Sequence, residues 1–317
     1  MGSLLAAGLV DGGRNGHAGD RELPPRALYQ DQLRQMKQLG QNLPPAVLLP
    51  VLRSQVSNVI GLASRCAGVT RSGLLITASR FVEYIGWMAQ ENGDEAMALH
   101  ATAEAVDLAR AGGDEHLADY ALVRHALITY YNGEAARTVA LAQQAQHSAA
   151  PPRVRGLAAQ REAQGHALLG DERACGRALD RAREQLALEG DFSGDAVLGT
   201  TQLLDPVSMV SGWCLYDLGR PREAADVLER ECRHIAPHAL STRMRYGIRR
   251  ALSLASAGEV ESSCETAREL LSFMTVIPSA TVRTDGMRLD REWSRFRGNA
   301  VVRSLRPVLA NALSSGN

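Results

Sequence analysis

The sequence predicts an all-α protein built from repeated helical hairpins, an α-solenoid. Aromatic residues make up only 4% of the 317 residues, which is sparse for a β-sandwich or a β-barrel. Apolar residues recur at helical spacing along most of the chain. A glycine followed by a polar residue also recurs between amphipathic stretches, at Gly93, Gly133, Gly170, Gly219 and Gly258. The intervals of 37 to 49 residues are typical of solenoid repeats.

The segments before the repeats are a tail and a helical hairpin. Residues 1–25 are rich in glycine and lack periodicity, which predicts a flexible tail. Residues 26–72 contain two amphipathic stretches separated by Pro44 and Pro45, which predicts an N-terminal helical hairpin. The apolar run Leu4–Val10 is far shorter than the roughly 20 residues that a membrane span requires, so we expect no membrane association. Five scattered cysteines favour a cytoplasmic location.

The repeats are predicted over residues 73–277, and residues 278–317 are predicted to form capping helices. A terminal repeat exposes one apolar face, and the two amphipathic stretches after Pro278 are suited to cover it. The longest interval between turn glycines includes an irregular insertion at 188–206. We interpret this insertion as a surface loop, with a mobile flap over a groove as the alternative.

The hairpins resemble the tetratricopeptide repeat (TPR), in which two antiparallel helices are joined by a turn with a glycine. The residues seven positions before the turn glycines are Gly86, Ala126, Ala163, Gly212 and Ala251. The residues five positions after them are Ala98, Thr138, Cys175, Ala224 and Ser263. All ten are small, as close contact between two helices requires. The resemblance implies a right-handed solenoid of about five hairpins.

More narrowly, the chain is similar to the helical-repeat region of actinobacterial transcriptional regulators with a Cro/cI-type helix-turn-helix. The segments that carry this resemblance are Ala150–Arg155, Leu169–Cys175 and Leu218–Ala224. The resemblance implies a role in regulation. No helix-turn-helix motif precedes the repeats here, and the formal net charge is +0, so we expect no direct binding of nucleic acid.

No motif indicates catalysis or a cofactor. The sequence lacks a His-Glu-x-x-His motif, a phosphate-binding loop, a dinucleotide fingerprint and a Gly-x-Ser-x-Gly elbow. Cys232, His234 and His238 are close in sequence but lack a fourth zinc ligand. We interpret acidic residues such as Asp94 and Asp171 as helix caps. We therefore expect no enzyme activity, no cofactor and no metal, with a divergent helical enzyme as the weakest alternative.

The functional prediction comes from the expected concave groove. In TPR solenoids, positions 13, 10, 6, 3 and 2 before the turn glycine line this groove. Those 25 positions hold six of the chain's aromatic residues, of which there are 3 Trp, 7 Tyr and 4 Phe. Trp and Tyr are common at binding hot spots, and nearby polar groups orient ligands. The predicted groove residues are Arg80, Glu83, Trp87, Glu91, Tyr120, Tyr130, Tyr131, Gln160, Gln164, Met209, Trp213, Tyr216, Asp217 and Arg245.

We therefore predict a non-enzymatic regulatory protein that binds a peptide, a protein segment or a small-molecule effector in this groove. The alternative is a scaffold whose helical ends and Arg-rich C-terminal residues support self-association, as in a homodimer, or docking to a DNA-binding regulator. The two differ in what they require of Trp87 and Trp213. Groove binding requires that these rings reach a shared hollow, whereas a scaffold permits their complete burial.

Overall fold

The computed structural model describes residues 25–146, 149–188 and 198–314 and shows an all-α solenoid, which confirms the predicted fold class. These ranges contain 14 α-helices and no strand. The predicted tail, except for its last residue, lies outside them. The helices are α1 Pro25–Leu39, α2 Pro45–Ala63, α3 Gly68–Glu91, α4 Glu95–Ala111, α5 Leu117–Tyr131, α6 Ala135–Gln146, α7 Pro152–Leu168, α8 Glu172–Ala187, α9 Pro206–Asp217, α10 Pro221–Cys232, α11 Leu240–Ser256, α12 Val260–Val276, α13 Ala280–Ser294 and α14 Ala300–Ser314.

Neighbouring helices pack in pairs. The five TPR-like repeats are α3 with α4, α5 with α6, α7 with α8, α9 with α10, and α11 with α12. At the C-terminal end, α13 and α14 form a sixth pair that packs on the fifth through α11 and α12. At the N-terminal end, α1 and α2 both pack on α3. The sixth pair thus occupies the place at which a terminal cap was expected.

The turns inside the five repeats share one backbone geometry. All five turn glycines have a positive φ, between 74° and 86°. The amide that follows each glycine donates to the carbonyl five residues earlier, as Asp94 does to Ala89 at 2.9 Å. This is the hydrogen bond of a Schellman-type helix end, and its left-handed residue favours glycine because there is no Cβ to clash. The recurring glycine is therefore required by the turn itself.

The ten small residues predicted at helix contacts are all buried. In the first repeat, a Cβ added to Gly86 would lie 3.2 Å from the carbonyl oxygen of Ala98. In the last one, the hydroxyl of Ser263 donates to the carbonyl of Ala251 at 2.7 Å. The two helices of a repeat therefore approach closely at the levels that the TPR pattern indicates.

We expect Gly86→Leu to lower the free energy of unfolding by about 1–3 kcal/mol, because the new side chain must displace α4. Gly61→Leu is the matched control. Gly61 also lies inside a helix, but a Cβ there meets no atom within 4 Å. In this control, the higher helix propensity of leucine should raise the free energy of unfolding by up to about 1 kcal/mol. Urea unfolding measures both, and equal effects in the two variants would contradict the close contact of α3 with α4.

The acidic residues interpreted as helix caps do cap helices. The carboxylate of Asp94 accepts the amide of Met97 at 2.9 Å, and that of Asp171 accepts the amide of Ala174 at 2.9 Å. Each bond satisfies one amide that the first turn of a helix leaves unpaired. The prediction for these two residues is confirmed.

One helix departs from the expectation that no segment could span a membrane. By length and composition alone, α2 is long and apolar enough, with a mean hydropathy of 1.4. Burial accounts for part of its apolar character, because Leu48, Leu52, Val56 and Val59 belong to the core beneath the hairpin and 33% of the apolar stretch is buried. A single apolar helix that packs in this way is weak evidence for membrane insertion.

The solenoid curls until its last pair touches its first, because α13 contacts α3. Glu91, at the end of α3, accepts hydrogen bonds from the hydroxyls of Ser279 at 2.7 Å and Thr281 at 2.8 Å. Arg245 of α11 donates to the same carboxylate at 2.6 Å. We call this contact of Glu91 with Arg245, Ser279 and Thr281 the seam. It closes the helices into a ring.

The connection between α1 and α2 joins a second place in the ring. The carbonyl oxygen of Gln41 accepts the amide of Ser241 at 2.8 Å. Its side-chain oxygen accepts the hydroxyl of Thr242 at 2.7 Å. The N-terminal hairpin thus reaches from α3, on which it packs, to the start of α11 and covers part of the space inside the ring.

Candidate ligand-binding cavity

The ring of helices surrounds a central cavity with an empty volume of about 1130 Å³, including its mouth. Its walls are side chains of α3, α5, α7, α9 and α11, the first helices of the five repeats. Lys37 and Gln41 of the N-terminal hairpin and residues 199–203 of the insertion complete the lining. A concave site lined by side chains of several helices is a common kind of site for binding small molecules.

Half of the predicted groove residues line the central cavity. They are Glu83, Trp87, Tyr120, Tyr131, Gln160, Trp213 and Arg245. Trp87 is partly exposed, whereas Trp213 is only 4% exposed. Both residues border the cavity, but the indole ring of Trp213 is almost entirely enclosed by its neighbours, so exposure of both rings to a shared hollow stays a prediction.

The other predicted residues lie behind the cavity wall. They are Arg80, Glu91, Tyr130, Gln164, Met209, Tyr216 and Asp217. Arg80 pairs with Asp114 at 2.7 Å, and Glu91 forms the seam. Gln164 is fully buried and accepts a hydrogen bond from Arg161, a lining residue, at 2.6 Å. The prediction that these seven residues line the groove is therefore not met by this cavity.

Tyr130, Tyr216 and Asp217 surround the buried guanidinium group of Arg249. Arg249 is 0% exposed and donates to the carboxylate of Asp285 at 3.0 Å. Its guanidinium also lies 3.8 Å from the carboxylate of Asp217, which accepts the hydroxyl of Tyr130 at 2.7 Å. Tyr216 lies on the other side, with its ring centroid 5.8 Å from the guanidinium. Burial raises the pKa of Asp217, an effect that the nearby Arg249 opposes.

Two aromatic surfaces border the cavity, and Tyr130, which does not line it, packs against the first of them. On one side Trp213 contacts Tyr130, Tyr131 and Tyr246, with ring centroids 5.6 to 6.2 Å apart. We call these four residues the aromatic cluster. The guanidinium of Arg249 lies 4.4 Å from the Trp213 ring centroid. These distances are typical of aromatic and cation–π contacts, which fix the ring of Trp213 in one orientation.

The second aromatic surface is Trp87, which lies between two guanidinium groups. Those of Arg124 and Arg245 are 4.9 and 4.6 Å from its ring centroid. Arg124 also approaches Glu83 to 3.7 Å and donates to Gln90 at 3.0 Å. Each of the two arginines therefore has a nearby carboxylate, which for Arg245 is Glu91 of the seam.

Several lining residues lie outside the predicted set, although the sequence carries a signal for some of them. Tyr84, Arg124, Arg161 and Val210 all stand nine positions before a turn glycine and all line the cavity. This position is adjacent to one that the TPR pattern did include. In four of the five first helices this extra position therefore belongs to the inward face, and in α11 the corresponding residue is the buried Arg249. The other missed residues are Lys37, Gln41, Thr242, Tyr246 and residues 199–203. Val123, Leu127, Leu157 and Pro206 also line the cavity and stand at positions that the TPR pattern does include.

The insertion contributes to the cavity through its described part. Residues 199–203 form a section of wall, and Arg153 of α7 donates to the carbonyl oxygens of Leu198 at 2.6 Å and Thr200 at 3.2 Å. Residues 189–197 lie outside the described part of the chain. The end of the insertion that the structure describes is therefore more than a surface loop, and the flap stays a prediction.

The cavity combines buried phenols with buried cations. Burial raises the pKa of the Tyr120 and Tyr131 phenols and lowers that of Lys37. Across the residues that the structure covers, no group of three His, Cys, Asp or Glu side chains is placed to hold a metal ion. Cys232, His234 and His238, which are close in sequence, therefore do not form such a group. The arrangement offers hydrogen bonds, charge and aromatic faces, which are the means of binding a ligand.

Comparisons with known proteins add little to this picture. No protein-family model and no curated protein matches the sequence. A solved structure described as Rap protein complexed with competence and sporulation factor is similar over 91% of this chain and 89% of that chain. The TM-score is 0.47 and the sequence identity is 13%. A likeness at this level says nothing about ligands.

Proposed function

We propose that this chain is a non-enzymatic, cytoplasmic regulatory protein that binds a peptide, a protein segment or a small effector in the central cavity. The observation that carries the proposal is the lining of the cavity, in which two aromatic surfaces alternate with charged and amide groups from five helices. Binding sites are commonly concave and mostly apolar, with a few polar groups that orient the ligand.

Unpaired polar atoms in the lining support a ligand. Tyr131 Oη, Gln160 Nε2 and Trp213 Nε1 are buried and have no hydrogen-bond partner in the described part of the chain. A buried polar group without a partner costs about 1–3 kcal/mol, and native proteins keep few of them. A ligand with polar atoms supplies the missing partners.

A role in regulation is supported by the resemblance to Cro/cI-type regulators at Ala150–Arg155 and Leu169–Cys175. The construction of the cavity is consistent with such a role. Its lining comes from the N-terminal hairpin and from all five repeats, so a ligand contacts most of the ring at once. We propose that a ligand in the cavity changes the surface that the ring presents to a partner protein. A separate DNA-binding regulator is one such partner.

We expect Leu127→Trp to weaken ligand binding at least tenfold, about 1.4 kcal/mol, because a larger side chain fills the cavity. Leu127 lines the cavity and is partly exposed there. The probe is N-phenyl-1-naphthylamine, a neutral aromatic dye whose fluorescence rises on transfer from water to an apolar site. Leu169→Trp is the control, since Leu169 is 55% exposed and does not line the cavity.

Native mass spectrometry of the protein purified from its own cells complements the titration. A bound molecule in the wild type that is absent from Leu127→Trp supports the proposal. Equal dye affinity in wild type, Leu127→Trp and Leu169→Trp contradicts it. If that result comes with a stable dimer in light scattering, the scaffold alternative is favoured.

A further inference from the structure

We propose that the ligand of the central cavity is an organic anion, with an apolar body and a carboxylate or chemically similar group that pairs with Arg161. This inference rests on the proposed function and specifies the chemistry of the ligand.

The lining contains more cationic than anionic groups. Lys37, Arg124, Arg161 and Arg245 are cationic, and Glu83 is the one carboxylate among the lining residues that the structure describes. Arg124 approaches Glu83, and Arg245 pairs with Glu91 of the seam. Protein carboxylates therefore neutralise Arg124 and Arg245. Arg161 is the third arginine of the lining.

Arg161 has no carboxylate within ion-pair distance in the described part of the chain. One of its five N–H donors is used, in the bond to Gln164 at 2.6 Å. The side chain is partly exposed and lines the cavity. Burial lowers the pKa of the Arg161 guanidinium, and nearby phenols such as Tyr120 and Tyr246 oppose this effect. A charge in such surroundings is costly without a counter-ion.

The unpaired polar atoms of the lining point to the same ligand chemistry. Gln160 Nε2 and Trp213 Nε1 are donors that lack an acceptor. A guanidinium with further N–H donors in the same cavity selects a group rich in acceptor oxygens, and a carboxylate or sulfonate has this character. The aromatic cluster and Trp87 then provide contact for the apolar body of the ligand.

Two dyes that differ in one charged group test the proposal. The anionic dye 8-anilinonaphthalene-1-sulfonate and the neutral N-phenyl-1-naphthylamine share an aromatic skeleton, but only the first carries a sulfonate. In fluorescence titrations of the full chain, we expect the anionic dye to bind at least about tenfold more tightly than the neutral one. Arg161→Gln should weaken binding of the anionic dye about tenfold or more and leave the neutral dye within about twofold.

Two further variants serve as controls. Arg183→Gln removes an exposed arginine, whose side chain is 51% exposed, and should change neither affinity. Leu127→Trp should weaken both dyes, which places their binding in the cavity. Arg161→Gln is expected to retain the thermal unfolding temperature of the wild type, since it removes a charge without a counter-ion. If it does not fold, Arg161→Met keeps the apolar stem and serves in its place.

The outcomes separate this inference from the function on which it rests. An anionic dye that binds no better than the neutral one, or equal losses of both in Arg161→Gln, overturns the assignment of an anion. If Leu127→Trp still weakens the neutral dye, the cavity remains a binding site. Absence of saturable binding of either dye overturns both proposals.

Discussion

Arg249→Met is expected to lower the free energy of unfolding by about 3–5 kcal/mol, because it removes the fully buried counter-charge of two buried carboxylates and leaves only the more distant, partly exposed Arg288. The guanidinium of Arg249 is fully buried between Asp285, at 2.9 Å, and Asp217, at 3.8 Å. It also stacks on Trp213 at the back of the cavity wall. Urea unfolding, followed by circular dichroism, measures the loss.

Two further variants test this explanation. The double variant Arg249→Met and Asp285→Leu should recover much of the lost stability, since an apolar pair of similar volume can replace a buried ion pair. Arg183→Met is the control, because its partner Asp180 is 71% exposed, and such pairs contribute at most about 1 kcal/mol. A small loss in Arg249→Met, or no recovery in the double variant, would refute the electrostatic origin of the effect.

Glu91→Ala is expected to cost about 2–4 kcal/mol, because the seam loses the one carboxylate that accepts from three donors. Arg245, Ser279 and Thr281 would keep their positions without an acceptor. Hydrogen exchange should show the place of the damage. Amides at the start of α13 should exchange faster in the variant. Amides in α7 and α8 should lose no more protection than the overall loss of stability accounts for.

Glu134→Ala is the control for the seam. Glu134 pairs with Arg137 in an exposed i, i+3 bridge, where its own side chain is 39% exposed, and its loss should cost at most about 1 kcal/mol. If Glu91→Ala has no larger effect than this control, or if α13 keeps its protection, the seam does not hold the ring closed.

The fold was predictable because its signals are local. Each turn glycine has a positive φ that the turn requires, and each small residue, such as Gly86 or Ser263, lies at a close contact inside one hairpin. Both constraints act within about a dozen residues and recur in every repeat. A local constraint that recurs in every repeat produces a periodic pattern of glycine and small residues in the sequence, and this pattern predicts the solenoid.

The site was only half predictable because closure of the ring is not local. Tyr130 and Asp217 have the spacing of groove residues, but Arg249 and Asp285 from later helices enclose them. No pattern within a repeat indicates that encounter. Arg161 is a different case, since its position nine residues before a turn glycine recurs in the lining and could have been included.

The contact between α3 and α13 also constrains how this protein can evolve. In an open array each unit touches only its neighbours, so duplication or loss of one unit is tolerated. Here Glu91 and Thr281 must meet across 190 positions of chain. An added hairpin would push the two ends apart, so a gene duplication within the array would cost the protein this contact. Retention of the contact between Glu91 and Thr281 therefore requires the number of units to stay unchanged.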